Sequence, residues 1–321
     1  METVRVGGRT YTDPDVISLI KATGSLVDPR SSVLNQARNL LAKFEVFDNV
    51  PTNAIGRLTM LASLQGITVT PMDVDRQQRE KRDAILVPTA TKQIILFNPN
   101  RPPGRVAFSI AHEISHTFFP NSLTGARFRS ICQLNSKEAN ELERLCDLGA
   151  SELLMPIIEF QKTAAGNYSL NNLEYLSGVF GSSYEATAFR LASAHPGIAV
   201  SGLLRYRLTV KEQRRALSTQ QTLLFGGVTS ENDNQDQPKY RRQSVYLSDR
   251  CEEHLTIRWN KSFDEISCVY LAGRNGGIHA AWESLPNGTH LIGRLEAVRA
   301  PYQREEAHRE FADVLFFWMA E

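Results

Sequence analysis

The sequence predicts an α+β protein with a mostly helical first part and a β-rich second part. Three observations support this fold class. Apolar residues recur at helical spacing through most of the chain before Ser230. Three β-branched runs, Ile67–Thr70, Ala84–Val87 and Gln93–Phe97, predict a small sheet within this helical part. A polar run from Ser230 to Pro238 without an aliphatic residue predicts a linker, and the patterns that follow it are those of strands.

The composition is that of an ordinary globular protein. The 321 residues are 42% hydrophobic and 22% charged, which excludes a collagenous or largely disordered chain. Because 36 Lys and Arg face 35 Asp and Glu, we do not expect sequence-independent phosphate binding to be the main task. We find no signal-peptide core, no run of about 18 apolar residues and no cysteine pair at metal-ligand spacing. We therefore expect a soluble cytoplasmic protein of two or three domains, without a membrane partner.

Helical spacing predicts the elements around the strands. Helices are expected at Ser31–Phe44 and at Thr52–Gln65, the second ending at Gly66. The turn cluster Asn98–Gly104 ends the last strand, and a buried helix is predicted from Arg105 to Pro120. This buried helix carries the residues that point to chemistry.

Its sequence contains an H-E-x-x-H motif, with His112, Glu113 and His116. Residues four apart lie on one face of a helix, so both imidazoles can bind one metal ion. Glu113 follows about 100° round the helix, where its carboxylate can take a proton from water. Two imidazoles and a carboxylate are costly to bury in an apolar helix without a metal or other partners. The motif therefore predicts a metal site, rather than two core histidines.

A third ligand is expected from the next helix, predicted at Glu138–Met155. Glu143 and Asp147 are four residues apart and share a face, so one can bind the metal while the other accepts the second N–H of a ligand histidine. Glu143 has apolar neighbours that indicate a buried segment, which favours it as a ligand. Glu138 and Glu141 are expected on a solvated helix face.

Two blocks in this order and spacing resemble the ImmA/IrrE metallopeptidases. They are Phe108–His116, FSIAHEISH, and Glu143–Pro156, ERLCDLGASELLMP. The second block is especially similar to IrrE-like radiation- and stress-response proteases. The resemblance extends over roughly Asn53–Leu191.

The resemblance implies a zincin-like metallopeptidase domain with a Zn²⁺ cofactor, or alternatively Mn²⁺. It implies that His112, His116 and Glu143 are the ligands and that Glu113 is the catalytic base, with Asp147 as the outer partner of a ligand histidine. The implied substrate is a helix-turn-helix repressor, whose cleavage derepresses stress-response or mobile-element genes. It also implies a sensor-like, GAF-like domain in the last part of the chain.

Two further helices, Leu170–Phe180 and Ser183–Ser193, have the form of a helix-turn-helix. The second contains one Arg and one Glu, so we expect these helices to cover the peptidase core without direct DNA binding. The basic residues that follow are expected on a solvated helix face. They are Arg205, Arg207, Lys211, Arg214 and Arg215. His195 and Tyr184 are weaker candidates for stabilising the oxyanion of the reaction.

The predicted domains are a metallopeptidase domain at 1–165, a helical extension at 166–229 and a β-rich regulatory domain at 230–321. A chain ending near Ser230 is expected to fold. In the last domain, five segments are predicted as strands. The apolar segment Phe311–Met319 is expected to be buried. The predicted strands are Ser244–Leu247, Leu255–Trp259, Ile266–Ala272, Ile278–Trp282 and His290–Leu295. Gly276-Gly277 and Pro286–Gly288 are predicted as hairpin turns.

Two alternatives from other functional classes stay open. The chain could be a DNA-binding regulator with a structural metal, although such a metal normally has four protein ligands with cysteine prominent. It could also be a sensor or scaffold with a vestigial peptidase site, although all three ligand candidates and the base are present in the sequence.

Overall fold

The computed structural model describes residues 2–24, 27–44, 53–73, 83–89, 92–123, 137–215, 217, 237–251, 255, 257–258, 260–287, 290–301 and 310–320. The chain divides into two compact units. The first comprises Met1–Thr163 and Leu176–Ala186, and the second comprises Ala164–Tyr175 and Thr187–Glu321. Helices and sheets occur together, which confirms the α+β class. Of the predicted linker, only Gln237 and Pro238 are among the described residues.

The first unit begins with elements that sequence analysis did not predict. Strands β1 (Val4–Val6) and β2 (Arg9–Tyr11) form an antiparallel hairpin, and helix α1 (Pro14–Ala22) follows. Three-residue strands carry too little periodicity to be recognised. Helix α1 begins at a capping signal, because the carboxylate of Asp13 accepts hydrogen bonds from the backbone N–H groups of Asp15 and Val16.

The elements next along the chain agree with prediction. Helices α2 (Pro29–Phe44) and α3 (Ala54–Ser63) precede strands β3 (Ile67–Pro71), β4 (Ala84–Pro88) and β5 (Gln93–Phe97). These strands form a three-stranded sheet in the order β3-β5-β4, with β3 parallel and β4 antiparallel to β5. Strand β4 is therefore an edge strand of the described sheet.

Helix α4 (Pro103–His116) and helix α5 (Lys137–Leu154) form the centre of the first unit. Helix α4 buries Ile110 and Ile114 completely. The two helices approach closely where Gly149 on α5 faces Ser115 on α4, because a Cβ atom at Gly149 would lie 2.7 Å from the Ser115 Oγ atom. The missing side chain at Gly149 thus lets the acidic residues of α5 come within reach of the histidines of α4.

Helices α6 (Ile157–Ala164), α7 (Leu173–Phe180) and α8 (Tyr184–Ala194) follow, and the last two lie at the predicted helix-turn-helix-like pair. Helix α8 is a poor candidate for reading DNA, because its one arginine, Arg190, is 3% exposed. Within the described part of the chain, no helix combines the length and the apolar character that crossing a membrane requires.

The second unit is built on one antiparallel sheet in the order β7-β6-β10-β9-β8. The strands are β6 (Ala199–Arg207), β7 (Lys239–Leu247), β8 (Ile278–Ser284), β9 (Ile292–Arg299) and β10 (Val314–Ala320). Strand β10 pairs with β6 and β9, and all its residues from Val314 to Trp318 are buried. The prediction that the apolar end of the chain is buried is therefore confirmed.

Strand β6 corrects the sequence prediction for residues 199–207. Arg205 and Arg207 lie on this strand and not on a solvated helix face. The described residues between 166 and 215 contribute to both compact units, and β6 pairs with β7 and β10, which differs from the separate helical extension predicted at 166–229. A chain ending at Ser230 would leave β6 without either neighbour, so we no longer expect it to fold intact.

A second correction concerns the predicted strand Ile266–Ala272, where the structure has helix α9 (Cys268–Asn275). The Ser267 Oγ atom accepts the Val269 N–H at the start, and Gly276 ends the helix with a φ of 72°. Cys268, Val269 and Ala272 are buried at helical spacing. A short apolar run fits a strand or a buried helix equally well, and the two end signals decide for the helix.

Smaller differences affect the turns and one strand. Gly276-Gly277 joins helix α9 to strand β8 and is not a hairpin turn. Of the predicted strand Leu255–Trp259, Thr256 and Trp259 lie outside the described residues, and the others belong to no strand. Pro286–Gly288 falls between the paired strands β8 and β9, as a hairpin connection requires, although Gly288 is outside the described residues.

Candidate metal centre

The two histidines of helix α4 face each other as the spacing predicts. His112 and His116 are one helical turn apart, and their Nε2 atoms are 3.2 Å apart. Their side chains are 17% and 19% exposed, so both rings are largely withdrawn from water while keeping some access to it. The local helix alone brings these two donors together.

Helix α5 supplies the carboxylates. The Glu143 Oε2 atom lies 3.1 Å from the His112 Nε2 atom and 4.0 Å from the His116 Nε2 atom. On the other side of the His112 ring, the Asp147 Oδ1 atom lies 2.9 Å from Nδ1. Glu143 therefore faces both Nε2 atoms, whereas Asp147 contacts the far nitrogen of one ring.

The three facing atoms fit a metal ion. Donors about 2.0–2.2 Å from a tetrahedral ion lie about 3.3–3.6 Å from one another. The observed separations among His112 Nε2, His116 Nε2 and Glu143 Oε2 are 3.1, 3.2 and 4.0 Å. Small side-chain adjustments would make all three donors equidistant from one ion, with one position left for water.

The charge balance of the site also favours a cation. Burial lowers the pKa of His112, but hydrogen bonds to Asp147 and Glu143 and the charges of Asp147 and Glu113 outweigh it and raise the pKa to about 10. The surroundings of this ring thus stabilise a positive charge that burial alone would disfavour.

Glu113 is held by the sheet. Its Oε2 atom accepts a hydrogen bond of 2.8 Å from the backbone N–H of Leu86 on edge strand β4. Sequence analysis did not foresee this contact, because the motif gives no information on which strand lies beside the helix. The contact brings the carboxylate of Glu113 next to the outer strand of the described sheet.

Cys146 makes a contact at the site that sequence analysis did not foresee. Its Sγ atom lies 3.3 Å from the His116 Nδ1 atom, and its side chain is completely buried. His112, His116 and Cys146 also form a group whose ligand atoms all lie within 4.8 Å of one another. The available signal was the spacing of three residues from Glu143, which puts Cys146 and Glu143 on one side of helix α5.

The prediction of a solvated helix face is wrong for Glu141 and stays untested for Glu138. Glu141 is not on a solvated face, because its carboxylate accepts hydrogen bonds from the backbone N–H groups of Thr12 and Asp13 and from the Thr12 hydroxyl. It ties α5 to the turn before helix α1. The side chain of Glu138 lies outside the described residues.

The two oxyanion candidates lie in different units. Tyr184 begins helix α8 in the first unit. His195 belongs to the second unit, where its ring contacts Tyr168 and Phe317 edge-on and its Nδ1 atom accepts the Gly197 N–H at 3.1 Å. The structure does not bring either of them into the hydrogen bonds described for His112, and their catalytic roles stay predictions.

Together, the small sheet, the H-E-x-x-H helix and the neighbouring carboxylate helix define the first unit as a metallopeptidase-type domain. Comparison with protein families agrees: residues 62–192 match the family Peptidase_M78, described as the IrrE N-terminal-like domain. Residues 62–192 are therefore similar to the IrrE N-terminal-like domain, and the resemblance inferred from the sequence is confirmed.

Two further comparisons bear on the whole chain. Among solved structures, a Mycobacterium tuberculosis transcriptional regulator is similar, with a TM-score of 0.56 and 15% identity, over 95% of this chain and 80% of that chain. At this identity, the likeness shows a shared fold only. Comparison with curated proteins finds no match.

Proposed function

We propose that this chain is a zinc-dependent metallo-endopeptidase with its active centre on helices α4 and α5. One observation carries the proposal: the donor atoms of His112, His116 and Glu143 converge from two helices, with the Glu113 carboxylate on the same helix as the histidines. The IrrE N-terminal-like domain at residues 62–192 supports the same activity.

Each residue of the centre has a distinct role in this mechanism. His112, His116 and Glu143 would hold the ion, and Asp147 orients His112 by accepting its Nδ1–H. A bound zinc ion, or manganese in its place, would supply a Lewis acid for the scissile carbonyl and acidify a water molecule. Glu113 accepts the proton of the attacking water and passes it to the leaving amine nitrogen.

Edge strand β4 supports an endopeptidase over an enzyme for small substrates. An edge strand has backbone groups free to pair with an extended peptide. The Leu86 N–H already contacts Glu113. A peptide segment lying along β4 would therefore pass beside the base, as cleavage within a chain requires.

We further propose that the substrate is a helix-turn-helix transcriptional repressor in the cytoplasm, and that its cleavage derepresses stress-response or mobile-element genes. The resemblance to IrrE-like proteases supports this substrate class. The name of the similar Mycobacterium tuberculosis chain, a transcriptional regulator, agrees with a role in transcription. We assign sensing, of a GAF-like kind, to the five-stranded sheet of the second unit, with strand β6 included in that regulatory domain.

The substitution Glu113→Gln tests the reaction. It keeps the size of the side chain but removes the base, so we expect zinc to stay bound while cleavage of a co-encoded repressor falls by at least about 10²-fold. Zinc content and gel-based cleavage of both proteins, with added Zn²⁺ or Mn²⁺, are the measurements. Undiminished cleavage by Glu113→Gln, or no cleavage by the zinc-loaded wild type, would contradict the proposal.

A DNA-binding regulator with a structural metal is the second candidate, and the name of the similar structure favours it. Burial of Arg190 on α8 speaks against base recognition by this helix. A gel shift with random duplex at low salt separates the candidates, because binding that weakens steeply with salt would support the regulator. A scaffold with a vestigial site would bind metal without cleaving any repressor.

A further inference from the structure

The two candidate ligand histidines have different partners on their far ring nitrogens. The Nδ1 atom of His112 faces a carboxylate oxygen of Asp147 at 2.9 Å, and the Nδ1 atom of His116 faces the sulfur of Cys146 at 3.3 Å. Both partners come from adjacent positions of helix α5. The centre therefore holds one ring by a charged acceptor and the other by a buried thiol.

The Cys146 sulfur lies at the Nδ1 atom of His116, whereas the other candidate ligands lie at its Nε2 atom, so the sulfur is not placed to bind the same ion. The Nε2 atoms of His112 and His116 lie 3.2 Å apart, with Glu143 beside them. Cys146 contacts the His116 ring at Nδ1 instead, and the two nitrogens of an imidazole direct their lone pairs or protons away from each other. Closeness of Cys146 to the histidines therefore does not make it a fourth ligand.

We propose that Cys146 is a positioning residue that accepts the Nδ1–H of His116 and so directs the lone pair of the His116 Nε2 atom toward the metal. A ligand histidine needs such a partner, because the hydrogen bond at one nitrogen decides which nitrogen binds. A thiol is a weaker acceptor than a carboxylate, so His116 is held less strongly than His112. The inference rests on the proposed metal-dependent function.

Metal affinity of the full chain provides the first test. In competition with a chelator, we expect Cys146→Ala to weaken Zn²⁺ binding about 10-fold, at the low end of the range for such partners. Cys146→Ser should restore most of the affinity, because a hydroxyl also accepts an N–H. Cys268→Ala is the matched control, since Cys268 is another buried free cysteine but belongs to the second unit. It should leave Zn²⁺ affinity unchanged.

The tautomer of His116 in metal-free protein provides the second test, by nitrogen-15 NMR of the histidine rings. We expect Nδ1–H in the wild type and in Cys146→Ser, and a mixture of tautomers in Cys146→Ala. If Cys146→Ala fails to fold, Cys146→Val replaces it, because valine also lacks an acceptor but leaves less empty volume.

Two results would overturn the inference. One is an unchanged His116 tautomer and unchanged Zn²⁺ affinity when the acceptor is removed. The other is a sulfur-to-metal charge-transfer band with Co²⁺, together with a loss of metal in Cys146→Ser as complete as in His116→Ala, which would make Cys146 a ligand. Absence of Zn²⁺ binding by the wild type would refute the proposed function instead, while the tautomer measurement would still decide the role of Cys146.

Discussion

Two histidines, one in each compact unit, show how the surroundings set the properties of the same side chain. His112 in the first unit lies between two carboxylates, which raise its pKa to about 10 against the effect of burial. His195 in the second unit contacts the rings of Tyr168 and Phe317, and burial lowers its pKa. Burial is common to both, so the neighbouring carboxylates cause the difference.

The comparison separates a site for a cation from a packed histidine. Acidic groups around His112 stabilise positive charge, which a proton or a metal ion can supply. The surroundings of His195 favour a neutral ring, which suits packing in the second unit. A histidine with a raised pKa beside a second histidine and a carboxylate is therefore the better mark of chemistry in this chain.

Removal of Glu143 should have the largest effect on metal binding at the site around His112. Glu143→Ala deletes the carboxylate that faces both Nε2 atoms, so we expect Zn²⁺ affinity to fall more than about 100-fold, beyond the range for residues that only orient a ligand. Chelator competition measures the change, and His195→Ala serves as a control that should keep the metal. Full retention of zinc by Glu143→Ala would shift the third ligand to another residue.

Removal of Asp147 should have a smaller effect. Asp147→Ala takes away the acceptor at His112 Nδ1 but none of the three facing donors, so we expect Zn²⁺ affinity to fall roughly 10–100-fold. The pKa of His112 should also fall, because Asp147 is among the groups that raise it. An NMR titration of the metal-free variant checks this, and an unchanged His112 titration would show that Glu143 and Glu113 sustain the raised pKa without Asp147.

The third expected effect is an opposite pH dependence of stability at the two histidines. The folded pKa of His112 is about 10 against an ordinary 6.5, so in metal-free protein its contribution is full below about pH 6.5 and is lost as pH rises through about 10. The lowered pKa of His195 acts in the other direction, because its contribution is present above pH 6.5 and is lost as pH falls through the folded value.

Thermal unfolding between pH 5 and pH 10 measures both trends. His195→Phe should reduce the loss of stability on the acidic side without changing the alkaline side. Asp147→Asn should reduce the alkaline loss and leave the acidic side unchanged. Equal pH profiles of wild type and His195→Phe below pH 6.5 would show that the two histidines do not differ in the proposed way.

Sequence reasoning was most successful where the signal is local. The spacing of His112, Glu113 and His116, the three short strands and helix α5 each depend on patterns within one element, and all of them are found in the structure. It failed for Ile266–Ala272, where two end signals outweigh an ambiguous apolar run, and for residues 199–207, whose strand forms through distant partners.

The sequence by itself determined that two imidazoles lie on one helical face and that an acidic helix follows, because helical periodicity is a property of neighbouring residues. Tertiary structure alone decided which acid and which sulfur reach which ring nitrogen. Those contacts depend on the close approach of α4 and α5 at Gly149 and Ser115, and on strand β4 beside Glu113. Such packing joins residues far apart in the chain, and no local pattern records the distances it produces.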